Sequence, residues 1–347
     1  MLNMSKILVT GGTGYIGSHT VVELLEDGFE PVIIDNLSNS EPGVLDGIKS
    51  ITGKEPHFEK VDLRNRELVF KVFEKHPDIR AIIHFAAYKA VGESVEKPLD
   101  YYENNLLSLI HLLEAMKRYG VRHMVFSSSC TVYGEPDSLP VDERAPIKKA
   151  NSPYGNTKQI CEEILQDTLV SAPELGVISL RYFNPIGAHP SAAIGELPIG
   201  VPNNLVPFVT QTAAGIRECL SVFGNDYNTP DGSAIRDYIN VVDLAKAHIV
   251  AIRRLLAAKQ KSAFEVFNLG TGKGVSVFEI IQAFEKATGQ KVNHQVVNRR
   301  EGDVEQVYAD TAYANQELGW KAEKGIEETL LSAWNWEKSI RMKKSGL

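Results

Sequence analysis

The chain has 347 residues, 43% hydrophobic and 23% charged, with a formal net charge of −7. That length supports a large core in two lobes, and the balance is that of an ordinary globular protein. An acidic chain with no compensating basic face argues against nucleic-acid binding, and no apolar run reaches the ~18 residues that span a bilayer.

Residues 7–9 read as a buried strand, and a helical pattern from Tyr15 stops before Gly28, a usual helix-ending residue. Strands follow at 31–35 and 58–62, a helix at about 65–75 and a strand at 81–85. A long helix after Pro98 carries apolar residues to Met116, and a fifth strand takes 123–126. A helix opens near Pro153, and 177–180 is a sixth strand. Strands alternating with helices, in near-continuous apolar runs, predict a parallel sheet covered on both faces. Residues 184–234 turn rich in Pro, Gly and Asn, as in a loop-rich second lobe built around a ligand. Residues 238–256 return to strand-then-helix and are expected to rejoin the first lobe. The strand at 264–269 and helices near 276–287 and 326–340 are expected to complete the second.

Cys130, Cys161 and Cys219 are widely spaced and form no metal-binding pattern, so no metal is expected. Their odd number suits a reducing compartment, here the cytoplasm. Residues 1–6 enter the first strand with no room for the apolar core of a signal peptide.

Gly11, Gly14 and Gly17 lie between the first strand and first helix. Glycines there permit a tight turn and close approach to a pyrophosphate, which the helix N-terminus also favours. Asp35 ends the second strand, 18 residues after Gly17, where a carboxylate accepts hydrogen bonds from ribose hydroxyls and repels an extra phosphate. The fold class is therefore α/β, a doubly wound parallel sheet (Rossmann) with a smaller C-terminal α/β substrate lobe. The expected cofactor is NAD. Asp62 and Leu63 can flank an adenine; Phe85, Ala86 and Lys89 can line the cofactor channel.

Tyr154 and Lys158 are four apart and share a helix face, behind a Ser152-Pro153 start. A tyrosine near pKa 10 is a poor base at neutral pH, but a nearby cation lowers such a value. Tyr154 can then take the proton of a sugar hydroxyl while hydride leaves the same carbon. Ser129, after Ser127 and Ser128, can bridge the tyrosine and the substrate oxygen.

The runs 10–19, 35–37, 89–94, 127–134 and 181–185 resemble the UDP-glucose 4-epimerase family, within the extended short-chain dehydrogenase/reductases. So do 224–227, 236–238 and 299–303, so that the resemblance covers nearly the whole chain. It implies C4 oxidation to a 4-keto sugar, rotation of the sugar, and reduction from the other face, interconverting UDP-galactose and UDP-glucose. It implies an NAD-binding part at 1–183 and a UDP-sugar-binding lobe at 184–347. It adds Tyr15, Ile16, Asn36, Asn39, Ser40, Asn104 and Tyr182 as cofactor residues. Lys89, Ser129, Tyr154, Phe183, Asn184, Asn204, Leu205, Ser221, Phe223, Arg236, Arg300, Asp303 and Val307 are the implied substrate residues. A homodimer is implied too, through helices near 100–118 and 153–170.

Many relatives carry alanine at Cys130, which is expected to pack as core. A bulky tyrosine at Val307 tends to restrict the sugar pocket, so valine predicts activity on UDP-N-acetylglucosamine and UDP-N-acetylgalactosamine as well. Related 4,6-dehydratases and UDP-glucuronate decarboxylases carry a carboxylate just after Ser129; here the residues are Cys130, Thr131 and Val132. A non-catalytic NAD-sensing protein is the other alternative, but this chain keeps both Tyr154 and Lys158.

Overall fold

The structure, a computed structural model, describes residues 5–300 and 304–345. Its first half alternates β1 (Lys6–Thr10), α1 (Tyr15–Glu26), β2 (Glu30–Asp35), α2 (Gly43–Thr52), β3 (His57–Lys60), α3 (Arg66–Lys75) and β4 (Ile79–His84). Then come α4 (Val91–Glu96), α5 (Pro98–Tyr119), β5 (His123–Ser129), α6 (Pro153–Ser171) and β6 (Gly176–Tyr182). Next are β7 (Asn184–Ile186), α7 (Leu205–Ala213), β8 (Leu220–Phe223), β9 (Ile235–Arg236), β10 (Tyr238–Asn240) and α8 (Val241–Leu256). The chain finishes with β11 (Phe264–Leu269), β12 (Val275–Ser276), α9 (Val277–Thr288), β13 (His294–Val297), β14 (Gln306–Val307) and α10 (Ile326–Ser345).

Seven parallel strands form the main sheet in the order β11-β6-β5-β4-β1-β2-β3. Alternate strand residues feed two cores. Ile7, Val9, Ile83 and Ile178 pack with Val21, Leu24, Leu244 and Ile252 of α1 and α8. Leu8, Ile82, Met124 and Val177 pack with Leu109, Met116 and Leu165 of α5 and α6 on the other face. Each such side chain contributes roughly 1.5–3 kcal/mol on burial, which is why these strands read as continuous apolar runs. A third core, with Val206, Val209, Val222, Ile281, Phe284 and Leu330, holds α7, β8, α9 and α10 together as the second lobe.

Helix α8 packs against α1 on the main sheet, while β10 pairs with β7 in a separate two-stranded sheet. One expectation is corrected. β11 does not complete the second lobe; it is the edge strand of the main sheet, in parallel register with β6 from Phe264↔Val177 to Leu269↔Tyr182. The apolar pattern of 264–269 marks a strand but not its partner. Helices α2 and α4 were not foreseen: α2 carries weak helix formers at Gly43 and Gly47, and α4 has only six residues. No helix among the described residues is long and apolar enough to cross a membrane.

Glu23 on α1 gives this packing a pH signature. Burial pushes its carboxyl up from 4.5 to about 7, opposed by Lys246 and reinforced by Glu26, Asp27 and Asp243. The folded state therefore holds a proton that the unfolded state has lost, so stability falls as pH rises from about 4.5 to about 7. Glu23→Gln is expected to raise the melting temperature at pH 8 and leave it nearly unchanged at pH 4. Thermal melts at the two pH values check this.

Candidate active site

The strand order reverses between β4 and β1. In open α/β sheets that point leaves a crevice beyond the strand C-termini, where ligands sit. The loop after β1 and the loop after β4 meet there. Gly11 takes φ +69°, and a Cβ on it would lie 2.8 Å from the Ala86 nitrogen. A Cβ on Gly17 would lie 2.2 Å from the Gly11 carbonyl oxygen, so the loop closes on the first turn of α1 with no room for a side chain. Gly14 is the N-cap and supplies no capping side chain, while Tyr15, Ile16 and Gly17 form the first turn. Its N–H groups and positive dipole end suit a pyrophosphate.

Asp35 at the end of β2 accepts from the Leu37 N–H at 2.9 Å, the Thr13 N–H at 3.3 Å and the Ser40 hydroxyl at 3.4 Å. The acid is thus tied directly to the glycine loop. Asn36 donates to Asp62 at 3.3 Å, and Arg64 pairs with Asp62 at 2.8 Å. Leu63 is buried, with its carbonyl against His111, and Asn39 is exposed. A glycine cradle, an uncapped helix start and a carboxylate at the strand end fit a dinucleotide with an unphosphorylated ribose. Phe85 and Ala86 are half-buried beside this cradle. Asn104 is buried on α5 and donates to Asn105 at 3.0 Å. Asn105 in turn holds the Tyr88 backbone and the Thr157 hydroxyl, fixing the loop after β4 to α6. Nothing in the sequence marked Asn105; its role depends on two elements that meet only in the fold.

Ser152 caps α6, accepting from the Gly155 N–H at 3.2 Å, and Pro153 fills the first turn. The helix therefore starts where predicted and turns Tyr154 and Lys158 toward the end of β5. The Ser129 hydroxyl stands beside the Tyr154 phenol. Burial holds that phenol well above its usual value, Tyr182 adds to the rise, and Ser129 opposes it. Lys158 is 5% exposed and donates from Nζ to the Ser127 carbonyl at 2.6 Å. Burial pulls its ammonium down to about 8, with Cys161 and Glu162 opposing the fall. The Tyr182 and Ser127 hydroxyls are hydrogen-bonded beside it. Tyrosine, lysine and serine are together, at the C-terminal edge of the sheet that carries the glycine loop.

The second lobe meets this edge. Tyr15 donates to the Gly187 carbonyl at 2.6 Å. Phe183 is buried, and Asn184 opens β7. Asn204 is the N-cap of α7 and Leu205 its first residue, yet Asn204 turns its amide to Glu196 at 2.6 Å instead of capping. Lys89 lies 3.7 Å from the same carboxylate. Ser221 and Phe223 share one face of β8, with the Phe223 ring 44% exposed. Arg236 on β9 stands in register with Val307 on β14. Its guanidinium is close enough to Cys130 to oppose the burial that pushes that thiol up to about 12. Such a thiol is inert, as expected of a packing residue. Val307 is buried with Val132, Tyr133, Val141 and Phe183.

Asp237, next to Arg236, is fully buried and accepts from Thr271, Gly272 and Ala309. Arg299 pairs with Asp226 at 2.7 Å and lies 4.1 Å over the Tyr227 ring. These motif residues build the lobe, leaving exposed Arg300 near Gly92 of α4. Asp303 lies outside the described residues.

A family model described as GDP-mannose 4,6 dehydratase matches residues 8–332. The UDP-glucose 4-epimerase of Bacillus subtilis is 53% identical over 333 residues, covering 96% of this chain and 97% of that one. The crystal structure of UDP-glucose-4-epimerase from Stenotrophomonas maltophila, with bound NAD and formylated UDP-arabinopyranose, superposes with a TM-score of 0.94. It is 45% identical and is covered over 99% of its length by 98% of this chain. The chain belongs to the UDP-glucose 4-epimerase family. The turn after Ser129, Cys130 to Tyr133, carries no carboxylate. A further family structure, the UDP-Glc/GlcNAc 4-epimerase of Campylobacter jejuni, has a TM-score of 0.83 at 36% identity, over 96% of this chain and 99% of that one.

Proposed function

We propose that this chain interconverts UDP-galactose and UDP-glucose through a 4-keto sugar, with NAD as a resident cofactor. The observation that carries this is the meeting of Ser129, Tyr154 and Lys158 with the glycine cradle at one sheet edge, in a chain of this family. Gly11, Gly14 and Gly17 hold the pyrophosphate, and Asp35 the adenosine ribose. NAD, when bound, accepts and returns hydride at C4. Tyr154 takes the C4 hydroxyl proton and later returns it, Ser129 bridges the two oxygens, and Lys158 lowers the phenol's pKa. Arg236 and Arg300 grip the diphosphate, since a planar guanidinium fork matches phosphate oxygens. Phe223 lies against the uracil. The anchored nucleotide lets the sugar turn within a loosely held pocket.

The purified protein is expected to convert UDP-galactose to UDP-glucose without added cofactor, followed by a coupled dehydrogenase. No turnover, even with NAD supplied, would overturn this reading.

N-acetylated sugars are substrates too on this reading, supported by the small Val307 beside Phe183 and by the dual-specificity relative. Val307→Tyr is expected to lower kcat/KM on UDP-N-acetylglucosamine at least tenfold, while UDP-galactose turnover stays within a few-fold. Parallel assays of the two sugars check this. A cytoplasmic homodimer completes the proposal, supported by three free cysteines and by Ile110 and Val170, exposed on α5 and α6.

A further inference from the structure

Tyr154, Lys158 and Glu162 succeed one another at four-residue spacing, so they share the face of α6 that meets the sheet. Three consecutive residues of β5 receive them. Ser129 stands beside the Tyr154 phenol, the Ser127 carbonyl takes Lys158, and the Ser128 hydroxyl donates to Glu162 at 2.6 Å. Glu162 also accepts from the Ser179 hydroxyl at 2.8 Å and from Arg181 Nε at 3.0 Å, both on β6. A second Arg181 nitrogen closes a bidentate pair on its other oxygen. Glu162 is 4% exposed and Arg181 5%. A charged pair this deep is a poor source of net stability, because desolvation offsets the attraction. Its placement one turn below Lys158 calls for another account.

The groups around Lys158 narrow it. On α6 these are Tyr154, Cys161 and Glu162; burial pushes the Cys161 thiol up to about 12, so it stays neutral. From β4, His84 faces the ammonium and is held down at about 3 by burial and then by Lys158 itself, so it too is neutral. From β5 and β6 come the serines, Tyr182 and Arg181. Glu162 is the one carboxylate among them.

We propose that Glu162 is a positioning residue: it locks the helix face bearing Tyr154 and Lys158 against β5 and supplies the buried counter-charge that keeps Lys158 cationic. This deepens the functional reading above and rests on it for the catalytic consequence. Arg181 completes the device by orienting the carboxylate bidentately, with Ser128 and Ser179 satisfying the inner oxygen. Without that carboxylate the ammonium would face hydroxyls, a neutral thiol and imidazole, the Phe126 ring at 4.9 Å and the Arg181 cation, and would shed its proton near neutral pH.

The test uses the protein as purified, with lysines labelled by 13C at Cε and the Lys158 resonance identified through Lys158→Met. Two variants are compared with wild type. Glu162→Gln keeps an acceptor for both serines but strands the Arg181 charge. The double variant Glu162→Gln with Arg181→Gln keeps a neutral, hydrogen-bonded pair and guards against a folding failure in the first. The Lys158 titration is expected to fall by about one pH unit in the double variant, the scale of losing a close counter-charge, and further in Glu162→Gln, where the unpaired Arg181 cation adds to the loss. In both, kcat on UDP-galactose is expected to fall at least tenfold, with KM and bound NAD within twofold. An unshifted Lys158 resonance, or an unchanged kcat, in the folded double variant would overturn the proposal and leave the pair as scaffold only. A wild type without turnover would count against the functional reading alone, since the resonance reports on Glu162 without catalysis.

Discussion

Tyr154→Phe is expected to cut turnover of UDP-galactose by about 10²–10⁴-fold, the range that one positioned acid/base supplies. The substitution removes a single oxygen. That oxygen stands beside Ser129, and its ring sits on the same helix face as Lys158. The ring itself keeps its place, because Ser152 and Pro153 start the helix and Lys158 still anchors to the Ser127 carbonyl. KM and bound NAD are therefore expected to change by less than about threefold, and the melting temperature to stay near wild type. Steady-state kinetics, with the cofactor measured after denaturing the protein, separate the outcomes. Burial, with Tyr182 adding to it, holds the phenol high. A base at neutral pH thus requires the positive charge of Lys158, so Lys158→Met is expected to lose kcat while keeping Tyr154 in place. A Tyr154→Phe enzyme with near-normal kcat would assign the proton transfer to another group.

The parts of this protein that could be read from sequence are those whose geometry is local. A glycine loop between strand and helix, an acid at the next strand end, and a Tyr and Lys one turn apart behind a serine cap all lie within short windows. The structure builds each of them where the spacing places it. What the sequence hid depends on distant partners. β11 reads as a strand in isolation, but only the free edge of β6 decides that it joins the main sheet. Glu162 is followed by Glu163, and such a pair on a helix usually faces water; the buried bonds from β5 and β6 turn one of them inward. Asp237 and Arg299 stand inside motifs that the family resemblance marks, yet their bonds are internal, to Thr271 and Gly272 in one case and to Asp226 in the other. Motif membership alone did not separate the residues that build the pocket from those proposed to line it.

Gly17→Ala is expected to yield protein with less than a tenth of the NAD content of wild type. The added carbon would lie 2.2 Å from the Gly11 carbonyl oxygen and 2.9 Å from the Gly12 Cα. Both are backbone atoms, so no side chain can swing aside, and either the loop or the first turn of α1 must move. Gly11 cannot retreat freely, because a Cβ on its far side would already meet Ala86 at 2.8 Å, and its N–H is held by the Ile34 carbonyl. Overpacking of this kind costs about 1–3 kcal/mol, and here it falls on the surface proposed to cradle the pyrophosphate. A tenfold loss in binding corresponds to about 1.4 kcal/mol, within that range. Gly14→Ala is the matched comparison: its Cβ would lie 3.1 Å from the same oxygen, a gap closed by a shift of a few tenths of an ångström. The expected order of retained NAD is wild type, then Gly14→Ala, then Gly17→Ala, read from the cofactor released on denaturation and by calorimetric titration with added NAD. If Gly17→Ala instead retained full cofactor, the pyrophosphate would have to be held elsewhere than on this turn.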